Sequence, residues 1–229
     1  MPHGDSKSEG WSRRLRSAEA RVRSCPADLG QARAEQERLR CYVSCRDEFS
    51  GPDLVAGVDV GYDRERNIAV AGLAVLSVQD LSLVDTAVGR EPIRFPYVPG
   101  YLSFREIPAV VTAMRELSAT PDMLLCDGQG IAHPRGLGLA SHLGVLLDTP
   151  SVGVAKSKLV GTHDPVGEEK GDWEPLRHKG EVVGAVLRTR SRVKPVFVSC
   201  GHKVGLTSSM EIVLRLTEKY RFPEKTRKA

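Results

Sequence analysis

Three apolar runs follow one another in the first half of the chain, at residues 54–60, 68–77 and 81–89. Each run is rich in Val, Leu and Ala and has the length of a β-strand. The polar connections between them, GYDRERN and VQD, are short. Connections of this length favour strands that lie antiparallel beside each other. The pattern therefore predicts a three-strand antiparallel meander.

After the meander, helical and strand-like patterns alternate along the chain. Segments with a helix-forming pattern are 30–47, which precedes the meander, and 103–117, 139–148 and 208–220, which follow it. Apolar, strand-like runs are 121–127, 150–156, 179–190 and 194–201. A meander followed by alternating helix and strand predicts an α/β fold, with one mixed β-sheet of antiparallel and parallel strands flanked by helices.

Composition places limits on domain organisation. The chain has 229 residues and is 41% hydrophobic, which is enough apolar sequence for one good-sized core. Residues 1–15 are mostly polar and charged, which predicts a disordered tail. We expect residues 16–229 to form a single domain, and we expect the polar stretch 161–180 to be a surface excursion.

Charge is distributed unevenly along the chain. Residues 177–229 contain 13 Lys and Arg but only 4 Asp and Glu, although the net charge of the whole chain is +4. A basic C-terminal part beside an acidic remainder is typical of a surface that grips a polyanion, and a solvated basic face explains the charge equally well. No run of roughly 18 apolar residues predicts a membrane span. Five cysteines without C-x-x-C spacing indicate reduced thiols, and we expect a cytoplasmic monomer.

Asp59 lies inside the first predicted strand, in the sequence VAGVDVG. Alternation along a strand puts Val58 and Val60 on one face and puts Asp59, flanked by Gly57 and Gly61, on the other. A carboxylate in an apolar strand is costly unless it is paired or binds a metal. Asp59 is therefore either part of a structural salt bridge or the ligand of a metal that approaches between the glycines.

Two further acids lie where predicted elements end or begin. Asp127 ends the strand at 121–127 and opens into Gly-Gln-Gly, a position where α/β sheets place ligands and where Asp also commonly caps a turn. Glu106 follows Ser103 in a Ser-x-x-Glu pattern, a capping box that needs no further role. The alternative is that the start of the helix places Glu106 over the sheet.

The predicted topology brings these acids together. If the strand that ends in Asp127 lies beside the strand of Asp59, the helix between them carries Glu106 near both. Carboxylates that converge at one edge suit Mg²⁺, or Mn²⁺, and leave positions for water and phosphate. Lys156 follows the apolar run SVGVA and would point a cation at the same edge, although alone it would be an ordinary strand-end lysine. This set of residues predicts hydrolysis of a phosphodiester bond.

Two glycine-containing segments match nucleotide-binding motifs only weakly. GVAKS lacks the leading glycine of a phosphate loop and the glycine before its lysine. RGLGLAS lacks the third glycine of a dinucleotide fingerprint. A nucleotide-triphosphate enzyme therefore has little support.

Five ordered motifs resemble the endonuclease V family, the deoxyinosine-directed nucleases with a ribonuclease H-like fold. They are VAGVDVGY, PYVPGYLSFRE, DGQGIAHPRGLGLASHLG, GVAKSKL and GHKV, and the resemblance covers roughly residues 30–222. The resemblance implies a metal-dependent enzyme of DNA repair. It implies cleavage at the second phosphodiester bond on the 3′ side of deoxyinosine, leaving 3′-hydroxyl and 5′-phosphate ends.

The resemblance also implies roles for individual residues, position by position. It makes Asp59 and Asp127 metal ligands, Glu106 the third catalytic acid and metal ligand, and Lys156 the catalytic lysine. Tyr97, in PYVP, matches an aromatic wedge that fills the gap left when the damaged base leaves the stack. The prolines on either side restrict the backbone and favour an exposed ring over a core aromatic.

The remaining matched positions form a pocket for the flipped base. They are Gly100, Leu102, Gly128, His133, Gly138, Leu139, Ala155 and Leu159. The glycines would let main-chain groups approach the edges of hypoxanthine closely. His133 has a loop-fixing role as its alternative. Gln129 stands where many members of the family have histidine, which leaves its role open.

Two other functions fit the same residues. An endoribonuclease that acts on inosine in RNA would use the same acids, and no residue of the sequence separates it from a DNA enzyme. A non-catalytic binder of deaminated nucleic acid would have no need of the complete acid set. The expected partner is therefore inosine-containing DNA, with inosine-containing RNA as the alternative.

Overall fold

A computed structural model describes residues 4–217 as one eight-stranded mixed sheet with helices on both faces. The strands are β1 (Leu54–Asp63), β2 (Ile68–Ser77), β3 (Leu83–Pro92), β4 (Met123–Asp127), β5 (Ser151–Ala155), β6 (Trp173–His178), β7 (Glu181–Leu187) and β8 (Val196–His202). Their order in the sheet is β3-β2-β1-β4-β5-β8-β7-β6. The strands β1, β4 and β5 are parallel, and the other neighbours are antiparallel. The predicted α/β fold, with its meander and parallel strands, is confirmed.

The meander forms because its first two runs pair over their full length. β1 and β2 pair in continuous register from Leu54 opposite Ser77 onward. Asn67 adopts a left-handed conformation, with φ 53°, in the tight connection between them. The same register places Gly72 opposite Asp59. No side chain of β2 therefore covers the Asp59 carboxylate directly.

The helices cover the two faces of the sheet unequally. They are α1 (Gly4–Arg23), α2 (Leu29–Arg40), α3 (Leu102–Arg115), α4 (Leu139–Leu147) and α5 (Leu206–Arg215). α1, α3 and α4 share a core with Val58 and Cys126. α5 packs on the opposite face, in a core with Val55 and Leu125. Because side chains alternate along a strand, Asp59, which directly follows Val58, points away from the face that α3 covers.

The N-terminal segment differs from the expected disordered tail. It is helical from Gly4, and Trp11, Leu15 and Ala18 are buried in the core shared with α3 and α4. These three residues recur at the spacing of one helix face. This apolar stripe is narrow and lies among Arg, Ser and Glu residues. The composition of the segment therefore suggested disorder, whereas the spacing of its apolar residues specifies a helix.

Two other elements differ from the sequence pattern. α2 ends at Arg40 and not near residue 47, and the N–H of Cys41 closes its last turn on the carbonyl of Leu39. The stretch 161–180, expected as a surface excursion, contains the edge strand β6. β6 has mostly polar or exposed residues, as is usual for a strand at the edge of a sheet. The predicted helix at 208–220 runs to Arg215, and its last residues lie outside the described part.

None of the helices in residues 4–217 combines the length and the apolar character that crossing a bilayer requires.

We predict that Trp11→Ala lowers the free energy of unfolding by about 3 kcal/mol, because it removes a buried indole and leaves a cavity. The matched control is Trp173→Ala on β6, where the indole is 46% exposed. This control should change stability by less than about 0.5 kcal/mol. Urea denaturation of both variants measures the difference. Equal effects at the two positions would show that α1 does not stabilise the domain.

Candidate active site

Two acids lie side by side at one edge of the sheet. The parallel strands β1 and β4 pair with Val58 beside Cys126. The next residues, Asp59 and Asp127, are therefore neighbours at the edge where β4 ends. Lys156 directly follows β5, the strand on the other side of β4, and its Nζ donates to Oδ2 of Asp127. The fold thus brings these three predicted residues together.

The carboxyl group of Asp59 is in an electrostatically unfavourable position. Burial raises its pKa, and the neighbouring Asp127 raises the pKa further, whereas Lys156 lowers it. The Oδ1 of Asp59 also accepts a hydrogen bond of 2.9 Å from the N–H of Val60. Two carboxylates share this edge with one lysine, and Glu106 adds a third acid nearby. An additional cation would offset the remaining negative charge.

Glu106 does not form the capping box that its local sequence suggests. α3 begins at Leu102, its N-cap is Tyr101, and no side chain caps the helix. Ser103 therefore lies inside the first turn, where its Oγ is hydrogen-bonded at 3.0 Å to Nδ1 of His142. Glu106 instead points toward β1, and its Oε1 accepts a 2.6 Å hydrogen bond from the hydroxyl of Tyr62.

The environment of Glu106 favours its protonated form. Burial raises its pKa to about 7, and the charges of Asp59 and Asp127 act in the same direction, while the hydrogen bond from Tyr62 opposes them. The pKa of the Tyr62 hydroxyl is raised by burial and by the carboxylate of Glu106, so the hydroxyl keeps its proton and donates. Glu106 can therefore exchange a proton near neutral pH, as groups that transfer protons in enzymes do.

The described residues do not contain a ready-made group of metal ligands. Within residues 4–217, no three side chains among His, Cys, Asp and Glu form one. Asp59 and Asp127 are neighbours where β4 ends, and Glu106 on α3 is close enough to interact electrostatically with both. The assignment of all three acids to one ion stays a prediction.

Tyr97 projects from the loop between β3 and α3. Its side chain is 70% exposed, which excludes a core position. A hydrogen bond of 3.0 Å from the N–H of Tyr101 to the carbonyl of Val98 closes a turn in this loop. The two flanking prolines restrict the same backbone. The ring is therefore exposed on a backbone whose conformation is already restricted.

A cavity of about 380 Å³ opens beside Tyr97 and reaches Asp127 and Lys156. All the residues expected for the base pocket line it: Gly100, Leu102, Gly128, His133, Gly138, Leu139, Ala155 and Leu159. At Gly138 an added Cβ would lie 2.3 Å from the carbonyl oxygen of Gln129, so only glycine fits there. The volume is that of a pocket for a small ligand.

His133 lines this cavity and also fixes a loop. Its Nδ1 accepts a hydrogen bond of 3.3 Å from the N–H of Arg135, so its Nε2 carries the proton and donates to the carbonyl of Gly100 at 3.0 Å. Burial and the nearby Arg135 lower the pKa of His133 to about 4, which keeps the ring neutral. These two hydrogen bonds hold the loop in place, as expected if His133 fixes the loop.

Sequence reasoning missed polar residues that support the site. Tyr62 shares a strand face with Val58 and Val60, and this period-2 pattern was the available signal that it points toward α3. Gln129 Nε2 donates to the carbonyl of Ser157 at 3.0 Å and so links the loop after β4 to the loop after β5. No local sequence pattern indicates the contact between Gln129 and Ser157, because the two residues are 28 positions apart.

Acids and a lysine at the edge of a mixed sheet, a cavity that opens beside them and an exposed aromatic ring together define the class of protein. This arrangement is suited to holding a base apart from its stack while a neighbouring phosphodiester bond is cleaved. The fold and the site are those of a nuclease.

Comparison with known proteins identifies the family. A sequence model described as Endonuclease V matches residues 37–229. The endonuclease V of Trichormus variabilis is 54% identical over 205 residues, which cover 89% of this chain and 93% of that protein. The crystal structure of endonuclease V from Streptomyces avermitilis has a TM-score of 0.86 at 46% identity, covering 90% of this chain and 91% of that one. This chain belongs to the endonuclease V family.

A more distant relative has been crystallised with nucleic acid. The endonuclease V of Ciona intestinalis is 31% identical, with a TM-score of 0.78. The match covers 88% of this chain and 93% of that one. It was crystallised in complex with a 23mer DNA that contains an inosine followed by a ribo-adenosine. The resemblance inferred from the motifs is confirmed, together with the ribonuclease H-like fold and the enzyme class, a deoxyinosine endonuclease.

We predict that Glu106→Gln stabilises the metal-free protein at pH 8 but not at pH 5. Folding raises the pKa of Glu106 from 4.5 to about 7. The carboxyl group of Glu106 therefore contributes fully to the free energy of unfolding below pH 4.5, and this contribution is lost as the pH rises through about 7. The gain at pH 8 should be on the order of 2 kcal/mol.

Urea denaturation in the presence of chelator, at both pH values, measures this gain. Glu116→Gln is the control, because Glu116 is an exposed residue that ends the same helix. A stability difference for Glu106→Gln that is equal at pH 5 and pH 8 would contradict the raised pKa.

Proposed function

We propose that this endonuclease nicks DNA at the second phosphodiester bond on the 3′ side of deoxyinosine, leaving 3′-hydroxyl and 5′-phosphate ends, in DNA repair. One observation supports it above all. The cavity lined by the expected pocket residues opens between the exposed Tyr97 and the edge that carries Asp127 and Lys156. If a flipped base occupied this cavity, the backbone of the strand that carries the base would lie beside the acids.

The cavity suits a flipped purine that is recognised by main-chain groups. Three glycines, Gly100, Gly128 and Gly138, line it, and the absence of side chains at these positions lets a base approach the main chain closely. Hypoxanthine lacks the exocyclic amino group of adenine, and a close-fitting wall with fixed donors and acceptors discriminates on that difference. The complex of the Ciona intestinalis relative with inosine-containing DNA supports the same kind of substrate here.

Tyr97 is proposed as the wedge that replaces the extruded base. Its exposed ring has the aromatic surface on which neighbouring bases stack. Because the loop backbone is restricted by the flanking prolines, the ring needs little further ordering when DNA binds. Insertion of an aromatic side chain between base steps offsets the energy lost on unstacking.

The implied divalent metal fits the residues at the sheet edge. Asp59 and Asp127 supply hard oxygen donors, and their unfavourable proximity would be relieved by a cation. We assign Mg²⁺ to this pair, with Mn²⁺ as the alternative and with Glu106 nearby. When bound, such an ion polarises the phosphate and lowers the pKa of water.

The chain's own residues contribute charge and a proton site. Lys156, beside Asp127, is placed to offset negative charge that develops on the phosphate. Glu106 Oε1 is engaged by Tyr62, so Oε2 is the atom that takes up or releases a proton near neutral pH. We further propose that the enzyme acts as a cytoplasmic monomer. Matched DNA and RNA strands that each contain one inosine distinguish a DNA enzyme from an endoribonuclease.

We predict that Asp59→Asn and Asp127→Asn each reduce nicking of an inosine-containing duplex about 1000-fold or more, because each weakens the cation site. Binding of the duplex should remain measurable. Asp63→Asn is the matched control, since Asp63 is also on β1 but pairs with Arg66 at 3.6 Å. The assay follows strand cleavage with Mg²⁺ and with chelator. Full activity of either site variant would remove the proposed metal site.

We predict that Tyr97→Ala weakens binding to an inosine-containing duplex roughly 10-fold and weakens binding to undamaged duplex much less. The reason is that only an extruded base leaves a gap for the ring to fill. Tyr42→Ala is the control, because Tyr42 is 62% exposed and is not among the residues that line the cavity. Fluorescence anisotropy in chelator measures both affinities. Equal losses on the two duplexes would contradict the wedge.

A further inference from the structure

The carbonyl oxygen of Gly100 accepts three hydrogen bonds. The donors are Nε2 of Gln36 at 3.0 Å, Nε2 of His133 at 3.0 Å and Nη2 of Arg135 at 2.5 Å. A carbonyl has two lone pairs, so this oxygen is more heavily engaged than a loop conformation requires. Gly100 lies three residues after Tyr97 and two before Leu102, between the exposed ring and the cavity wall.

Gln36 connects the donors to one another. It lies on α2 at a position where the helix stripe is otherwise apolar, between Ala32 and Leu39, and its side chain is 0% exposed. Its Oε1 accepts a 2.5 Å hydrogen bond from Nε of Arg135, while its Nε2 donates to Gly100. A buried amide is costly unless its polar atoms are paired, and both ends of this amide are paired.

Arg135 contacts Gln36, Gly100 and the ring of Tyr101. Its guanidinium lies 4.1 Å from the centre of the Tyr101 ring, in addition to its bonds to Gln36 and Gly100. Gly100 has φ 81°, and an added Cβ would lie 3.0 Å from Nη2 of Arg135. The loop of Tyr97 and the loop after β4 are thus joined at one point, and each of them forms part of the cavity wall.

We propose that Gln36, acting with Arg135, is a positioning residue that sets the distance between the Tyr97 loop and the base pocket, and thereby the selectivity for hypoxanthine. This inference rests on the proposed function. Gln36 does not line the cavity, so it acts through its hydrogen-bond partners Gly100, Arg135 and, at 3.5 Å, the carbonyl of Leu137. A fixed separation lets the pocket walls discriminate, whereas separate loops would adapt to ordinary bases.

The test is Gln36→Met, which keeps the length of the side chain but removes its three hydrogen bonds, to Gly100, Leu137 and Arg135. We expect KM for an inosine-containing strand to rise roughly 10- to 100-fold, because a charge-assisted network is lost. The kcat should stay close to the wild-type value, since Asp59 and Asp127 are untouched. The ratio of affinities for inosine-containing and undamaged duplex should fall by a similar factor.

Gln31→Met is the matched control, because Gln31 is an exposed residue of the same helix and accepts only from the N–H of Ala27. It should leave KM and the affinity ratio unchanged. Arg135→Lys is the second variant and covers the case in which Gln36→Met does not fold. A lysine cannot donate to Gln36 and Gly100 in the same planar geometry, so the same change in KM is expected.

A fall in kcat at unchanged KM, an equal loss on both duplexes or an unchanged affinity ratio would each overturn the inference. Amide hydrogen exchange of residues 97–102 in the free protein should rise in both variants, and unchanged exchange would also overturn it. This last measurement does not involve substrate. A wild-type protein that fails to discriminate inosine would refute the proposed function, while the exchange data would still report on the three-donor contact.

Discussion

The parallel pairing of β1 with β4 is the constraint on which the site depends. Their register fixes Val58 beside Cys126 and so forces Asp59 and Asp127 into adjacent positions. Burial raises the pKa of Asp59, and repulsion between the two neighbouring carboxylates raises that pKa further. The apolar cores on both faces of the sheet hold the strands in register despite this repulsion. Lys156 offsets part of it, so stability is given up at the place where we propose that a cation and a phosphate bind.

Burial separates Glu106 from the two aspartates at this edge. Glu106 approaches from α3 and is buried, whereas Asp59 and Asp127 are partly exposed. In this drier environment Tyr62 supplies the direct hydrogen bond of Glu106, whose pKa lies near 7. Burial therefore distinguishes Glu106 from an exposed glutamate in the metal-free protein. This difference is the basis of our proposal that Glu106 takes up or releases a proton near neutral pH.

How far the sequence predicted the structure depended on the range of the interactions involved. The bounds of β2 and the start of α4 followed from apolar periodicity, and the residues of the site followed from ordered motifs. The capping box at Ser103 was wrong because the contacts of Ser103 and Glu106 with His142 and Tyr62 override the local preference. β6 was missed because an edge strand has little apolar signal. The bonds from Tyr62 to Glu106 and from Gln36 to Gly100 span 44 and 64 residues, and no local pattern encodes such distances.

Selectivity for one base requires walls that do not move when the base enters. Hypoxanthine differs from adenine and guanine by single polar groups, and a flexible pocket would satisfy each of them by adjustment. A pocket discriminates strongly only when a wrong base leaves a buried donor or acceptor unpaired. Here the glycine-rich walls are held by contacts formed during folding, including the triple engagement of Gly100. The ordering of these loops therefore takes place before DNA binds, and the binding energy of the base is left for recognition.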